Sequence, residues 1–180
     1  RPFPDRGGYR LYLEDLRAEA VRDLLRDVWP KPQSLDPSRR AAAVTRDIAK
    51  RLAAVSRLLE KRGHESEKVA HFLMRCLFTM FAEDVKLLQY GGFTALLEDA
   101  VGNPASFAPL LEDLWRAMDK GGFSPAIRQQ VRHFNGNLFA DAGAIPLQRE
   151  EIAELLAAAK HDWTQGEPAI FGTLLEQALD

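Results

Sequence analysis

The stretch from Val69 to Phe81 constrains this chain more than any other. Val69, Phe72, Leu73, Cys76, Leu77, Met80 and Phe81 recur at steps of three and four residues, and Met74 and Phe78 widen the apolar face. That spacing puts the side chains on one side of an α-helix, and a face so wide has to be covered by protein on most sides. The spacing predicts a central buried helix over about 66–88, with the rest of the chain packed around it. The longest apolar run, Phe72 to Phe81, is interrupted by Arg75. It falls short of the roughly 18 residues that a membrane span needs, so no membrane partner is expected.

Helical patterns recur along the chain. Leu13, Leu16, Ala20, Leu24 and Val28 predict a helix over 14–28, which Trp29-Pro30-Lys31-Pro32 ends. Asp36-Pro37-Ser38 opens the next helix, expected over 37–62 with Gly63 as its stop. Further helices are expected over Phe93–Val101, Ala105–Asp119, Leu147–Lys160 and Ala169–Leu179, and Ser124-Pro125 is read as opening one that runs to Val131. Pro2, Pro4, Gly7 and Gly8 make residues 1–12 an irregular or extended arm. Short strands are conceivable only at 9–12 and 138–145. The expected fold is all-α: a multi-helix bundle forming one domain over 1–180, with its helical body from residue 13. The chain starts at Arg1 rather than Met and stops at Asp180 directly after a helical pattern, so it reads as a piece of a larger enzyme.

Residues with reactive chemistry are present but not arranged for it. Cys76 is the one cysteine, which excludes a disulfide within the chain, and its apolar neighbours predict a buried thiol. The lone thiol and the polar, turn-rich N-terminus fit a reducing, cytoplasmic setting. His64, His71, His133 and His161 are not spaced as metal ligands, with one another or with Cys76. Asp84 and Lys86 have the spacing of half a nuclease metal site, which works on a strand, where both side chains point the same way. On a helix, residues two apart diverge. Asp84 is therefore expected to pair with an arginine or to cap a neighbouring helix. No catalytic residue, metal or cofactor is assigned to this chain.

Charge is the remaining signal. The chain carries a net charge of −2, yet residues 1–62 hold 15 Lys and Arg against 9 Asp and Glu, and residues 63–180 hold 9 against 17. Arg39, Arg46, Lys50, Arg57 and Lys61 are seven, four, seven and four residues apart, which keeps all five on one face of the second helix, opposite Ala41, Val44, Ile48, Leu52, Val55 and Leu59. Arg40, Arg51 and Arg62 flank that row. A row of cations can track a phosphate backbone without reading bases, and the plainer reading is a solvated outer face. No aromatic residue interleaves with the row, as stacking on single strands would require. Phe134-Asn135-Gly136-Asn137-Leu138-Phe139 forms a second unusual stretch, two aromatics around a tight turn. Its rings either tuck into the core or face a neighbouring domain.

Three stretches in series carry a family resemblance: Phe72 to Asp84, Phe134 to Phe139, and Asp162-Trp163-Thr164 with Glu167 to Glu176. Their order and spacing resemble the helical spacer of MmeI-like (Type IIL) bacterial restriction–modification enzymes, relatives of Type IIG, over about residues 9–180. The resemblance implies a spacer ahead of an S-adenosylmethionine-dependent adenine-N6 DNA methyltransferase domain. A target-recognition domain follows, and an endonuclease domain often precedes. It also implies DNA as a partner and S-adenosylmethionine as the cofactor of the parent enzyme, in a bacterial cytoplasm. The Asn-Pro-Pro-Tyr signature and the glycine-rich cofactor loop do not occur in this chain, so no catalytic residue carries over. Asn137 stands where family members have Gly. On this reading Arg39, Arg46, Lys50, Arg57 and Lys61 would meet DNA phosphates, and Phe134, Asn135, Gly136, Phe139, Phe171 and Glu176 would meet adjacent domains. The rival reading is a protein-interaction scaffold with no nucleic-acid role, in which the charge split serves docking.

Overall fold

In the computed structural model, which describes residues 11–28, 37–88, 91–134, 136–161 and 163, the apolar periodicities become helices. Among the described residues these are α1 (Glu19–Val28), α2 (Pro37–Lys61), α3 (Ser66–Asp84), α4 (Gly92–Gly102), α5 (Phe107–Lys120) and α6 (Arg149–Ala159). A two-stranded antiparallel hairpin, β1 (Gly122–Ser124) and β2 (Gln129–Val131), follows α5. The fold is all-α, as the patterning predicts. The chain divides into two compact units, Arg1–Ala42 and Ala43–Asp180.

In the first unit a 3-10 turn, Leu13–Arg17, precedes α1. The single helix expected over 14–28 is thus interrupted at Ala18, which is extended (φ −74°, ψ 129°). The break is held by polar groups. Asp15 accepts the backbone N–H of Tyr12 at 2.8 Å, and the Arg22 guanidinium donates to the carbonyls of Leu16 and Arg17, each at 2.8 Å.

In the second unit α3 is the centre, as its wide apolar face requires. Val69, Phe72, Leu73, Cys76, Leu77 and Met80 are all buried. Around them lie Ile48, Leu52, Val55 and Leu59 of α2, Phe93, Leu96 and Leu97 of α4, Leu111 and Leu114 of α5, and Ile152 and Leu155 of α6. Phe72 meets Phe107 and Trp115 edge-on at centroid distances of 6.4 and 5.8 Å, a geometry that adds about 1 kcal/mol per pair beyond burial. The indole of Trp115 brings a donor into this core. Its Nε1–H donates to Thr79 Oγ1 at 3.0 Å, and the Thr79 hydroxyl passes its own proton to the Arg75 carbonyl at 2.7 Å. Both buried polar groups are thereby satisfied.

Helix ends follow from local chemistry. Gly63 (φ +90°) stops α2 with the paired bonds of a left-handed cap, His64 N–H to Leu59 O at 3.2 Å and Gly63 N–H to Glu60 O at 2.9 Å. The same motif stops α3 with Leu87 N–H to Ala82 O at 2.8 Å and Lys86 N–H to Glu83 O at 3.0 Å. Here Lys86 holds the left-handed position (φ +63°), which costs a side-chain-bearing residue about 1 kcal/mol. The central helix therefore ends at Asp84, and residues 85–88 form the turn after it.

Two expectations are corrected. Ser124 does not open a helix: it pairs with Gln129 across the hairpin, and its buried hydroxyl donates to Asp113 Oδ2 on α5 at 2.8 Å. Phe123, Ile127 and Val131 have helical spacing, but the segment is too short for that spacing to outweigh a fixed hairpin register. Residues 138–145 form turns and irregular backbone rather than a strand, and so do residues 11 and 12 of the other predicted strand; its residues 9 and 10 lie outside the described set.

Candidate nucleic-acid interface

Helix α2 presents two different polar edges around one apolar stripe. Ile48, Leu52, Val55 and Leu59 enter the core, and Arg46, Lys50, Arg57 and Lys61 are all exposed. The row from Arg46 to Lys61 extends roughly 22 Å along the helix, the length of about six base pairs. Among the described residues Lys50, Arg57 and Lys61 take part in no ion pair. Arg39 lies in the first turns of α2, but its side chain and that of Arg40 fall outside the described set.

The flanking arginines point elsewhere. Arg51 donates to Asp47 Oδ2 at 2.8 Å and to Glu154 Oε2 at 3.0 Å, and Arg62 donates to Glu151 Oε2 at 2.8 Å and to the Pro146 carbonyl at 3.1 Å. These contacts clamp α2 to the start of α6. His161 adds a bond to Asp47 Oδ2 at 2.8 Å. The Arg51 guanidinium first, and His161 second, hold the Asp47 carboxyl below the usual carboxylate range.

The aromatic turn folds inward. Phe134 and Phe139 both meet Phe78 edge-on, with centroids 6.0 and 5.8 Å away, and Phe139 also lies 6.3 Å from Trp115. Phe139 is 3% exposed, and the Phe134 N–H is held by the Met118 carbonyl at 2.8 Å. Gly136 sits at the surface with φ +111°. Asn135, Phe171 and Glu176 lie outside the described residues.

Three buried charges are of structural importance: Arg75, Glu83 and Glu151. Arg75, which breaks the apolar run, lies inside the core over the Trp115 ring, its Cζ 4.8 Å from the centroid. It donates to the Asp141 carbonyl and, at 3.0 Å, to the Gly143 carbonyl, tying the loop after the aromatic turn to α3. Asp141 is held below its usual range by the Gly143 N–H, and further by Arg75. Glu83 rather than Asp84 caps a neighbouring helix. Its buried carboxylate accepts the Phe93 N–H at 2.6 Å, the Thr94 N–H at 3.3 Å and the Thr94 hydroxyl at 2.6 Å, at the start of α4. Glu151 is buried at the start of α6, where it accepts both Arg62 and the Gln148 N–H, the latter at 2.7 Å. Asp84 instead accepts the backbone N–H of Trp163 at 2.6 Å. Among the described residues no group of three or more His, Cys, Asp and Glu is placed to hold a metal. Burial raises the Cys76 thiol far above the range in which it ionises.

These contacts join the three stretches that carry the resemblance. Phe78 and Asp84 belong to the first stretch, Phe134 and Phe139 to the second, and Trp163 to the third. Stretches dozens of residues apart in sequence therefore close on α3. The second unit is a helical domain with a largely paired polar core, in which only the buried Arg75 Nε lacks a partner among the described residues, and with an outward basic helix face. Residues 67–139, from α3 through the aromatic turn, match the family described as MmeI, helicase spacer domain, so the resemblance drawn from the sequence holds across those residues. No curated protein and no solved structure matches the chain.

Proposed function

We propose that this chain is the spacer of a bacterial restriction–modification enzyme. It sets the distance between an S-adenosylmethionine-dependent adenine-N6 methyltransferase domain and a nuclease or other N-terminal module, and it lends phosphate contacts to the bound DNA. The spacer-family match over residues 67–139 carries the reading. Rigidity comes from one continuous core in which the buried side chains of α3 lie with those of α2, α4, α5 and α6. The phosphate contacts come from Arg46, Lys50, Arg57 and Lys61, which stand exposed in a row on one face of α2.

The test is binding of the chain to a duplex of arbitrary sequence over a range of salt. Four phosphate contacts give a slope of log K against log salt of about −3.6. Charge reversal at Arg46, Lys50 and Arg57 should take away most of that slope and of the affinity with the helical circular dichroism unchanged. Unchanged affinity in the folded variant would favour the scaffold reading. One observation favours that rival. The ion pairs Arg51–Glu154 and Arg62–Glu151 show that some of the basic excess of the N-terminal third is already spent on the acidic remainder.

A further inference from the structure

The hairpin β1–β2 has an outer face of unusual composition. In its register Phe123 is opposite Gln130, and both are exposed, so they share that face. Two residues along on either side of Gln130, Arg128 and Arg132 are exposed as well. Ser124, Ile127 and Val131 point the other way and are buried. Phe123 is 62% exposed, the most exposed large apolar side chain of the second unit among the described residues. No Asp or Glu occurs anywhere from Lys120 to Ala140, although residues 63–180 hold 17 acids against 9 bases. The outer face of the hairpin therefore presents Arg128 and Arg132 with no acidic residue of its own strands, a charge that complements an anion.

The hairpin is also held rigidly. Asp113 on α5 takes the Ser124 hydroxyl at 2.8 Å and the Ala126 N–H at 3.4 Å. Ile127 rests on the start of α4, where a Cβ added to Gly92 would stand 3.3 Å from the Ile127 Cβ. Arg128 occupies the left-handed region (φ +54°), where glycine would be free of strain. Arg128 thus stands at a strained backbone position on the same exposed hairpin as Phe123.

We propose that this outer face binds unpaired DNA, with Phe123 stacking on a base, Arg128 and Arg132 on the flanking phosphates, and Gln130 within reach of a base edge. The proposal rests on DNA being the partner of the chain. It assigns the hairpin a different task from α2, whose basic row has no aromatic residue and suits a duplex backbone. A ring on a rigid platform loses little freedom on stacking, which is why one aromatic can contribute measurably.

The experiment measures binding of the 180-residue chain to an oligothymidylate and to a duplex of arbitrary sequence at several salt concentrations. Phe123→Ala should weaken oligothymidylate binding by about fivefold or more and leave its salt slope alone. Phe123→Tyr, which keeps the ring, should restore it. Arg128→Gly, which suits the backbone, combined with Arg132→Ala should lower the single-strand slope by about 1.4. Charge reversal on α2 should act chiefly on the duplex. Oligothymidylate affinity unchanged by Phe123→Ala in a folded variant would overturn the proposal, and so would a wild-type chain that does not bind the oligonucleotide. Either result with duplex binding still lost on α2 reversal leaves the spacer reading standing. Loss of neither would sink both.

Discussion

Replacing Glu83 with alanine should cost about 3 kcal/mol of folding stability, although the side chain touches nothing outside the domain. Its carboxylate is 3% exposed and holds two backbone N–H groups and one hydroxyl at the start of α4. Loss of an ordinary N-cap costs about 1 kcal/mol. Here the acceptor is charged and lies at the positive end of a helix, and a bond to a charged group contributes about 1.5–3 kcal/mol. The Phe93 and Thr94 donors would also be left without that acceptor in a dry setting. In a domain of this size 1 kcal/mol shifts Tm by about 2–4 °C, so the midpoint should fall by roughly 6–12 °C. Glu83→Gln keeps one acceptor oxygen but turns an amide N–H₂ toward donors, and should cost about half as much.

Urea denaturation followed by far-ultraviolet circular dichroism reads these differences. Thr94→Val, made alone and with Glu83→Ala, isolates the 2.6 Å hydroxyl bond, which should couple the two sites by about 1 kcal/mol. Glu83→Ala within about 0.5 kcal/mol of the wild type, or strict additivity with Thr94→Val, would refute the assignment of Glu83 as the cap of α4.

Two further outcomes follow from burial and charge. Cys76 should resist a thiol reagent in the folded chain and react on addition of guanidinium, because burial opposes thiolate formation; labelling in native buffer at the rate of a small thiol would contradict it. Asp47→Asn should destabilise the chain near neutral pH and lose that effect in acid, as the pH falls through the depressed value of the folded carboxyl. The Asp47 carboxyl is depressed by Arg51 and His161, so its stabilising effect is complete above the unfolded value of 3.8 and disappears as pH drops through the folded value. Denaturant melts of both proteins over that range check the sign, and a difference that persists undiminished in acid would disprove the pairing.

The parts of the fold legible in the sequence are those that depend on period alone. Val69 to Phe81 has a face so wide that burial of α3 leaves no alternative, and Gly63 could be read as a stop because nothing else there tolerates φ +90° cheaply. The hairpin was illegible for the opposite reason. Phe123, Ile127 and Val131 sit four apart, a helical signal, and what overrides it is Asp113, a residue on another element that captures the Ser124 hydroxyl. The capping role of Glu83 leaves no signal of its own in the sequence, because Glu83 and Asp84 are adjacent carboxylates at the end of one helix. Only the position of α4 decides which of them meets the Phe93 and Thr94 donors.

The flanking arginines of α2, by contrast, left a signal that spacing could have caught. Arg51 and Arg62 are eleven residues apart, close to three turns, so they share a ridge roughly 100° from the outer row and near the border of the apolar stripe. Their partners Glu154 and Glu151 are three apart, again on one side of a helix. Matched ridges of opposite sign on two helices point to a clamp, whereas Lys50, Arg57 and Lys61 make no ion pair among the described residues. The division of α2 into a clamped edge and an exposed edge is the feature on which the proposed phosphate contacts rest. The exposed edge is narrow, one residue per turn or two, so charge reversal along it tests that proposal while leaving Arg51 and Arg62 in place.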